Sequence, residues 1–576
     1  MNQKLENILN VSLDATEDEL RKADSLSTGY NWRDNTWEII VKYSGSLESI
    51  RNIYNVYIKE LLNYYAIIVA DKATIELISQ EDVIDYVEKP KSLYYQIERT
   101  KTAACVGSVR ADGNILSGKG VIVGVIDTGI DIFDNAFRNS DGTTRILNIY
   151  DQTTGEKYDK QSIDEYIRLN EDLSGGTFSY DNAPGVDNIM HGTDVSYIAA
   201  GSLGVAYEAD IIAVKMGYSI NNQFPRTTSL MDAIDYIIRK AIEYRKPVAV
   251  NISYGCNYGA HNGNTLLESF IDDISKSYRC VICVGSGNEA DKAIHFGGII
   301  NTGQVQTAYL SVGEYQSAID IQIWKNYWDT IDVMLINPRG EQIGIITEGR
   351  INRYETYNTE IITLLGEPSP YNIYQEIYIN LIPKTDYILS GIWQIVLMAG
   401  SIRAGEYNIW LPSSQALGYA TAFNNPTADG TITIPATARN CIAVGAYNAY
   451  TNSYAAFSGR GFDNSIRNVN AGVKPDITAP GVDISIARQR GNDITYRNVT
   501  GTSYAVPVVT GAAALLMQWG IVMGNDRFMY GEKLKAALID GSKPVGLVGI
   551  TRNDNQPDPR TGWGAVCLKN TLNKIL

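Results

Sequence analysis

The sequence predicts an α/β protein built on a doubly wound parallel sheet, with a smaller α+β unit in front of it and an all-β insert within it. Three observations carry this prediction. From Gly118 onward, short apolar runs alternate with amphipathic helical stretches, the pattern of strands buried on both faces and joined by crossover helices. Residues 37–87 read β-α-β-β-α-β. Between about 300 and 415, short aromatic and β-branched runs replace the alternation, as in an antiparallel sandwich.

Length and composition set the frame. A chain of 576 residues exceeds one compact core and implies several units. With 44% hydrophobic and 20% charged residues, it has ample apolar surface to bury, which excludes a disordered chain. Lys plus Arg is 49 against 64 Asp plus Glu, a formal charge of −15 that would repel nucleic acid. Residues 1–10 show no basic run followed by an apolar block, so no secretory signal is read and synthesis in the cytoplasm is expected. No window reaches the roughly 20 uninterrupted apolar residues of a membrane span; the apolar stretch 512–517 stops at Gln518. Six cysteines in so long a chain are too scattered for a disulfide scaffold and are expected to be reduced. Cys280 and Cys283 have metal-like spacing, but they lie in an apolar run that suits a buried strand.

The elements follow in order. Residues 37–43 read as a strand and 47–55 as a helix behind Ser46; strands at 58–62 and 65–70, a helix at 72–79 and a strand at 83–87 complete a ferredoxin-like split unit. A polar leader precedes it and an extended tail through Gln96 follows. Apolar runs at 121–126, 211–214, 248–252 and 281–284 supply the parallel strands, and 229–244 carries a helical apolar face suited to a crossover. Runs at 318–324, 333–336, 376–381 and 392–398 build the insert. Alternation then resumes at 442–446, with a long helix at 503–519. The expected boundaries are 1–96, 97–299, 300–415 and 416–576.

Four positions could do chemistry. Asp127 ends an apolar strand before the turn-permitting Gly129, where ligand-facing residues of such sheets sit. His191 lies at a helix start among small residues. Ser503 follows a glycine turn into the long apolar helix, whose amino terminus favours negative charge. Asn288 follows a buried strand through Gly287 and can present an amide. Singly, each has a plain reading: a turn residue, a solvated histidine, an N-cap serine. His261 and His295 are expected to be loop residues. Together the four supply a nucleophile, its base, an anion that orients the base, and an oxyanion donor, which is what acyl transfer needs.

Their order, Asp, His, Asn, Ser, and their contexts resemble the subtilisin-like serine proteases (subtilases, S8 family). The resemblance rests on Asp127-Thr-Gly, His191-Gly-Thr, Gly287-Asn288 and Gly501-Thr-Ser503, with Ala505 and Pro507. It is reinforced by residues 251–255, 457–461 and 474–481. It implies a subtilisin-like domain over about residues 100–295 and 415–576, and makes the βαββαβ unit a propeptide that chaperones and inhibits. It further implies catalytic Asp127, His191 and Ser503, oxyanion donation by Asn288, and substrate pairing along Ser253, Tyr254 and Gly255. Self-cleavage is expected between Gln96 and Ile97, with the bond after Tyr95 second.

The sequence departs from the family pattern at Asp194, where a second histidine is usual, at the bulky pair Ser196 and Tyr197, and at Tyr504, where methionine is common. In architecture it resembles the clostridial Csp germination proteases, which implies a jelly-roll insert, incorporation into the spore, and a cortex-lytic proenzyme as protein substrate. No cofactor or metal is expected; Asp131, Asp134 and Asp141 are read as solvated acidic loops. Two rival readings remain: a regulatory binding protein with a silent site, against which four intact groups argue, and a carrier for a recognition module at 300–415, whose aromatic residues are more simply sandwich core.

Overall fold

The computed structural model describes residues 4–17, 20, 29–61, 64–89, 103–105, 110–111, 114–173, 183–216, 225–346, 351–367, 372–462, 473–490, 493–546 and 557–576. The chain divides into a unit of residues 1–95 and a unit of residues 96–576. The expected processing bond at Gln96 and Ile97 lies outside the described residues.

In the smaller unit the strands Thr36–Tyr43, Tyr57–Leu61, Tyr65–Ala70 and Ile84–Glu88 form one antiparallel sheet, in which Thr36–Tyr43 pairs with both Tyr65–Ala70 and Ile84–Glu88. That is the ferredoxin-like order. Strand alternation turns Trp37, Ile39, Val41 and Tyr43 inward, where they meet Ile50 of helix Glu48–Tyr54 and Ile75 and Ile78 of helix Lys72–Ile78. Asp71 caps the second helix by accepting the Thr74 N–H at 2.8 Å. The leader contributes buried Leu5, Leu9 and Leu13 to the same core.

The larger unit is built on a nine-stranded sheet. From one side to the other its strands run Glu156–Asp159, Ile146–Asp151, Asp210–Lys215, Ile122–Asp127, Val248–Ile252, Cys280–Gly285 and Ile442–Asn448; Ser453–Tyr454 and Ile477–Pro480 both pair with the last. The pairings from Ile146–Asp151 through Ile442–Asn448 are parallel. Both faces are covered, which explains the unbroken burial of 122–127, 248–252 and 280–285. Helix Thr227–Tyr244 packs on one face with Leu230, Ala233, Ile234, Ile237 and Ile238 buried. Helices His191–Ala200 and Thr502–Met517 cover the other.

Helix Thr502–Met517 is apolar on all sides and, with the π-helical turn that extends it to Val522, is long and apolar enough to cross a membrane. It is instead 89% buried within this unit, so a core helix accounts for its composition.

The insert consists of two antiparallel sheets across one core. One runs His295–Ile299, Glu406–Trp410, Ile319–Asn326, Tyr374–Pro383, Thr359–Leu365, Ile351–Glu355. The other runs Gln342–Ile343, Ile331–Ile336, Gly391–Ala399, Val305–Val312, Ala422–Phe423.

Two expectations are corrected. Cys105 and Cys567 form a disulfide, tying the start of this unit to its last helix; a separation of 462 residues gives the sequence no hint that the two meet. Cys280, Cys283 and Cys441 are buried thiols, as read for the first two. His295 opens a strand rather than lying in a loop, whereas His261 is a loop residue as expected, though buried; both stack on Trp410, at 4.9 and 4.1 Å between ring centroids. The tryptophan that draws them inward lies more than a hundred residues along the chain, so their local sequence reads as loop.

Candidate active site

Asp127 is the last residue of the central strand Ile122–Asp127, where the parallel sheet opens at its carboxyl ends. His191 is the first residue of helix His191–Ala200, and Met190 before it adopts a left-handed conformation with φ 66°. The two side chains meet: His191 Nδ1 lies 2.6 Å from Asp127 Oδ1, which also accepts the Thr128 N–H at 2.8 Å. Asp127 Oδ2 is buried with no partner among the described residues.

The glycines of the two motifs allow this approach. A Cβ on Gly192 would stand 2.3 Å from Gly129 O and 2.9 Å from Asp127 Cβ, so the His-Gly-Thr and Asp-Thr-Gly turns close-pack backbone to backbone.

Asp187, not among the four positions singled out from the sequence, organises this junction. It is fully buried, and its Oδ1 accepts from Thr128 Oγ1 and Met190 N while its Oδ2 accepts from Thr193 N and Thr193 Oγ1, all at 2.8 Å. Thr128 Oγ1 in turn accepts the Gly192 N–H at 2.9 Å. One carboxylate therefore joins the aspartate turn to the histidine turn. The visible signal was its place four residues before His191, but a carboxylate before a helix reads simply as a cap.

Ser503 is the second residue of helix Thr502–Met517, at its positive end. Pro507 lacks the N–H that would bond to the Ser503 carbonyl four residues back. That carbonyl faces Ser253 Oγ at 3.5 Å, and Ser253 Oγ accepts from Asn251 Nδ2 at 3.0 Å, while Asn251 Oδ1 accepts from Thr510 Oγ1 at 3.2 Å. Asn251 and Thr510, a second pair missed from sequence, thus tie the segment after strand Val248–Ile252 to the serine helix.

Asn288 Oδ1 accepts both the Thr502 N–H at 3.0 Å and Thr502 Oγ1 at 3.1 Å. With its carbonyl fixed, the amide Nδ2–H₂ is the side left for the cleft. Gly287 has φ +93°, and a Cβ there would stand 2.5 Å from Thr433 Cγ2, so the turn that presents Asn288 has room only for glycine.

One cleft of about 480 Å³ is lined by His191, Ser503, Asn288, Ser253, Tyr254 and Gly255, together with Tyr504, Thr433, Glu289 and residues of the 413–415 segment. Of the positions singled out from sequence, the described ones fall together here, with Asp127 directly behind His191. Asp131, Asp134 and Asp141 form no common cluster, and against the expectation of solvated loops Asp131 and Asp134 are buried by the turn that packs them: Asp131 pairs with Arg490 at 2.6 Å, Asp134 accepts from Ala136 N and Asp141 from Thr143. Burial pushes the Asp134 carboxyl up to about 6.

The electrostatics suit a base. Burial works against the imidazolium of His191, but the charge and hydrogen bond of Asp127, with Asp187 behind, outweigh burial and the repulsion of Arg497, so the imidazole titrates above its usual 6.5. With Nδ1 held by Asp127, Nε2 is the nitrogen left to take a proton in the cleft. A hydroxyl, a base locked in one tautomer and an amide donor around one cleft can perform nucleophilic acyl transfer.

Fold and site together define a subtilisin-like serine protease. A family model described as the subtilase family matches residues 118–368 and 404–564, well over half of the chain, and the chain belongs to that family. Residues 3–91 match a second model, the Csp protease B prodomain. Among solved structures, that of the Clostridium perfringens CspB protease is similar, with 34% identity and a TM-score of 0.74 over 82% of this chain and 96% of that one. Among curated proteins, the subtilase-type proteinase RRT12 of Saccharomyces cerevisiae is 33% identical over 128 residues, 22% of this chain and 23% of that protein. The subtilisin-like protease 10 of Arthroderma otae is 34% identical over 120 residues, 21% and 27% respectively. The matched segment spans about a quarter of the length of these curated relatives.

Two outcomes test the geometry. Because the neutral imidazole is the active form, kcat/KM should rise with pH through a midpoint above 6.5, and Asp127→Asn should lower kcat by roughly 10⁴-fold through loss of the correct tautomer; a pH–rate profile of both proteins checks this. Gly192→Ala must separate the two turns and should cost about 1–3 kcal/mol in chemical denaturation, with activity falling alongside.

Proposed function

We propose that this subtilase is a serine endopeptidase that cleaves its own prodomain and then makes limited cuts in a protein substrate, activating a cortex-lytic proenzyme during spore germination. The observation that carries the endopeptidase reading is the convergence of Ser503, the His191–Asp127 pair and Asn288 on one cleft. The germination reading draws on the prodomain match and the likeness to CspB, and it places the protein in the spore.

In the proposed reaction Ser503 Oγ attacks the peptide carbonyl and its proton passes to His191 Nε2. Asp127 stabilises the imidazolium that forms, the more so because its second oxygen is buried without another partner among the described residues. The tetrahedral oxyanion takes the Asn288 Nδ2–H₂ as donor at the positive end of the serine helix. His191 returns the proton to the leaving amine, and water repeats the sequence on the acyl-enzyme. Ser253 to Gly255 line the cleft, and substrate backbone is proposed to add along them as a strand. The prodomain acts as chaperone and inhibitor, and its tail supplies the first substrate.

Intact mass spectrometry of the wild type beside Ser503→Ala tests this. The wild type should appear as two fragments divided after Gln96, or secondarily after Tyr95, with the variant whole. Two whole chains would remove the support for self-processing. Asn288→Ala should lower kcat by roughly 10²- to 10³-fold in a protein that still folds, with a stability loss of about 1–3 kcal/mol from the unpaired Thr502 donors.

A further inference from the structure

Immediately before the serine helix, strands Ile484–Arg490 and Asp493–Val499 form a two-stranded antiparallel hairpin. Arg497 pairs with Ile486, two residues from Arg488, so both guanidinium groups leave the same face. That face meets the histidine helix. Arg488 Nε donates to Asp194 Oδ1 at 3.0 Å, and Arg488 Nη2 donates to Met190 O at 3.0 Å and also to Asp194 Oδ1. Arg497 Nη2 donates to Asp194 Oδ2. Asp194 is fully buried.

Both ends of this ion trio reach the site. Met190 O, which accepts from Arg488, belongs to the left-handed residue that turns the chain into His191. Arg497 also faces the Tyr504 hydroxyl, where its charge opposes the rise in titration that burial imposes, and the Tyr504 ring lies 5.3 Å from the His191 ring. Tyr504 is the neighbour of Ser503. The hairpin therefore bonds to the backbone that presents the base and sets its charge against the aromatic residue that flanks it.

We propose that Arg488 and Arg497 are positioning residues: acting through Asp194, Met190 and Tyr504, they hold His191 in register with Ser503. This rests on the reading of His191 as the base. A histidine at position 194 could sit there neutral, whereas a buried aspartate requires cationic partners; the departure at 194 and the arginines of the hairpin explain one another. Tyr504, a departure from the methionine common in the family, becomes a working part of the same device.

The arrangement also sets the field at the base. The groups facing His191 are Asp127 from the central strand, Asp187 from the preceding loop, Arg497 from the hairpin and Tyr504 from the serine helix, with Arg488 and Asp194 beyond them. Arg497 alone of the nearest charges disfavours the imidazolium. Removing it raises the His191 titration midpoint, and the freed Asp194 charge acts in the same direction.

The chain has only three histidines, so the His191 Cε1–H resonance can be assigned by its loss in His191→Gln and titrated by NMR without reference to turnover. Hydrolysis of a synthetic peptide of residues 91–100 supplies kcat and KM. Arg497→Gln should move the His191 midpoint upward and lower kcat about 10- to 100-fold with KM nearly unchanged, and Arg497→Lys should restore the midpoint. Tyr504→Phe leaves the ion trio intact and should lower kcat in the same sense, which keeps the test decisive if Arg497→Gln does not fold. A folded Arg497→Gln with unchanged midpoint and kcat would overturn the proposal, as would an unchanged kcat in Tyr504→Phe. If the wild type fails to cleave the peptide, the endopeptidase reading is at fault, and the NMR midpoints still decide whether Arg497 acts on His191.

Discussion

The 2.6 Å contact between Asp127 and His191 is the constraint around which the larger unit is arranged. A carboxylate so deeply buried is costly unless it is paired, and its partner must arrive from a separate helix with no tolerance for an extra atom. The parallel sheet delivers Asp127 to the carboxyl end of its central strand. Gly192 removes the side chain that would keep the two turns apart, and Gly129 the one that would push away the 185–187 loop before the histidine helix. Asp187 then fixes the spacing, because its four hydrogen bonds reach Thr128 on one side and Met190 and Thr193 on the other.

The serine side is held by a different set of contacts. Helix Thr502–Met517 is anchored by burial on every face, so its amino terminus is a rigid platform. Pro507 leaves the Ser503 carbonyl free to face Ser253, and Thr502 turns the Asn288 amide toward the cleft. The hairpin of Arg488 and Arg497 spans the two halves. Fixed dipoles and charges set before substrate arrives are what lower the barrier in such a site, since they need not reorganise during the reaction.

Local patterns were legible in the sequence. The βαββαβ unit could be read because each of its strands and helices carries its own periodicity, and the boundaries found, such as Tyr65–Ala70 and Lys72–Ile78, lie within a residue or two of those expected. The parallel strands were legible as unbroken apolar runs, and Asp127, His191, Asn288 and Ser503 stood out because each sits beside glycine or another small residue at an element end. What stayed hidden were pairings between distant segments: Cys105 with Cys567, Trp410 between His261 and His295, and Asp194 with Arg488 and Arg497. No periodicity encodes such contacts. Asp194 showed only as a departure from a motif, and the hairpin that answers it comes about three hundred residues later.

The central claim is that this site holds an activated serine. Reaction with a fluorophosphonate probe, followed by peptide mapping, measures that without knowledge of the physiological substrate. The account predicts covalent labelling of Ser503, rising with pH as His191 loses its proton, and none in Ser503→Ala. A folded wild-type protein that stays unlabelled at alkaline pH with its prodomain removed, or one labelled equally in Ser503→Ala, would contradict it.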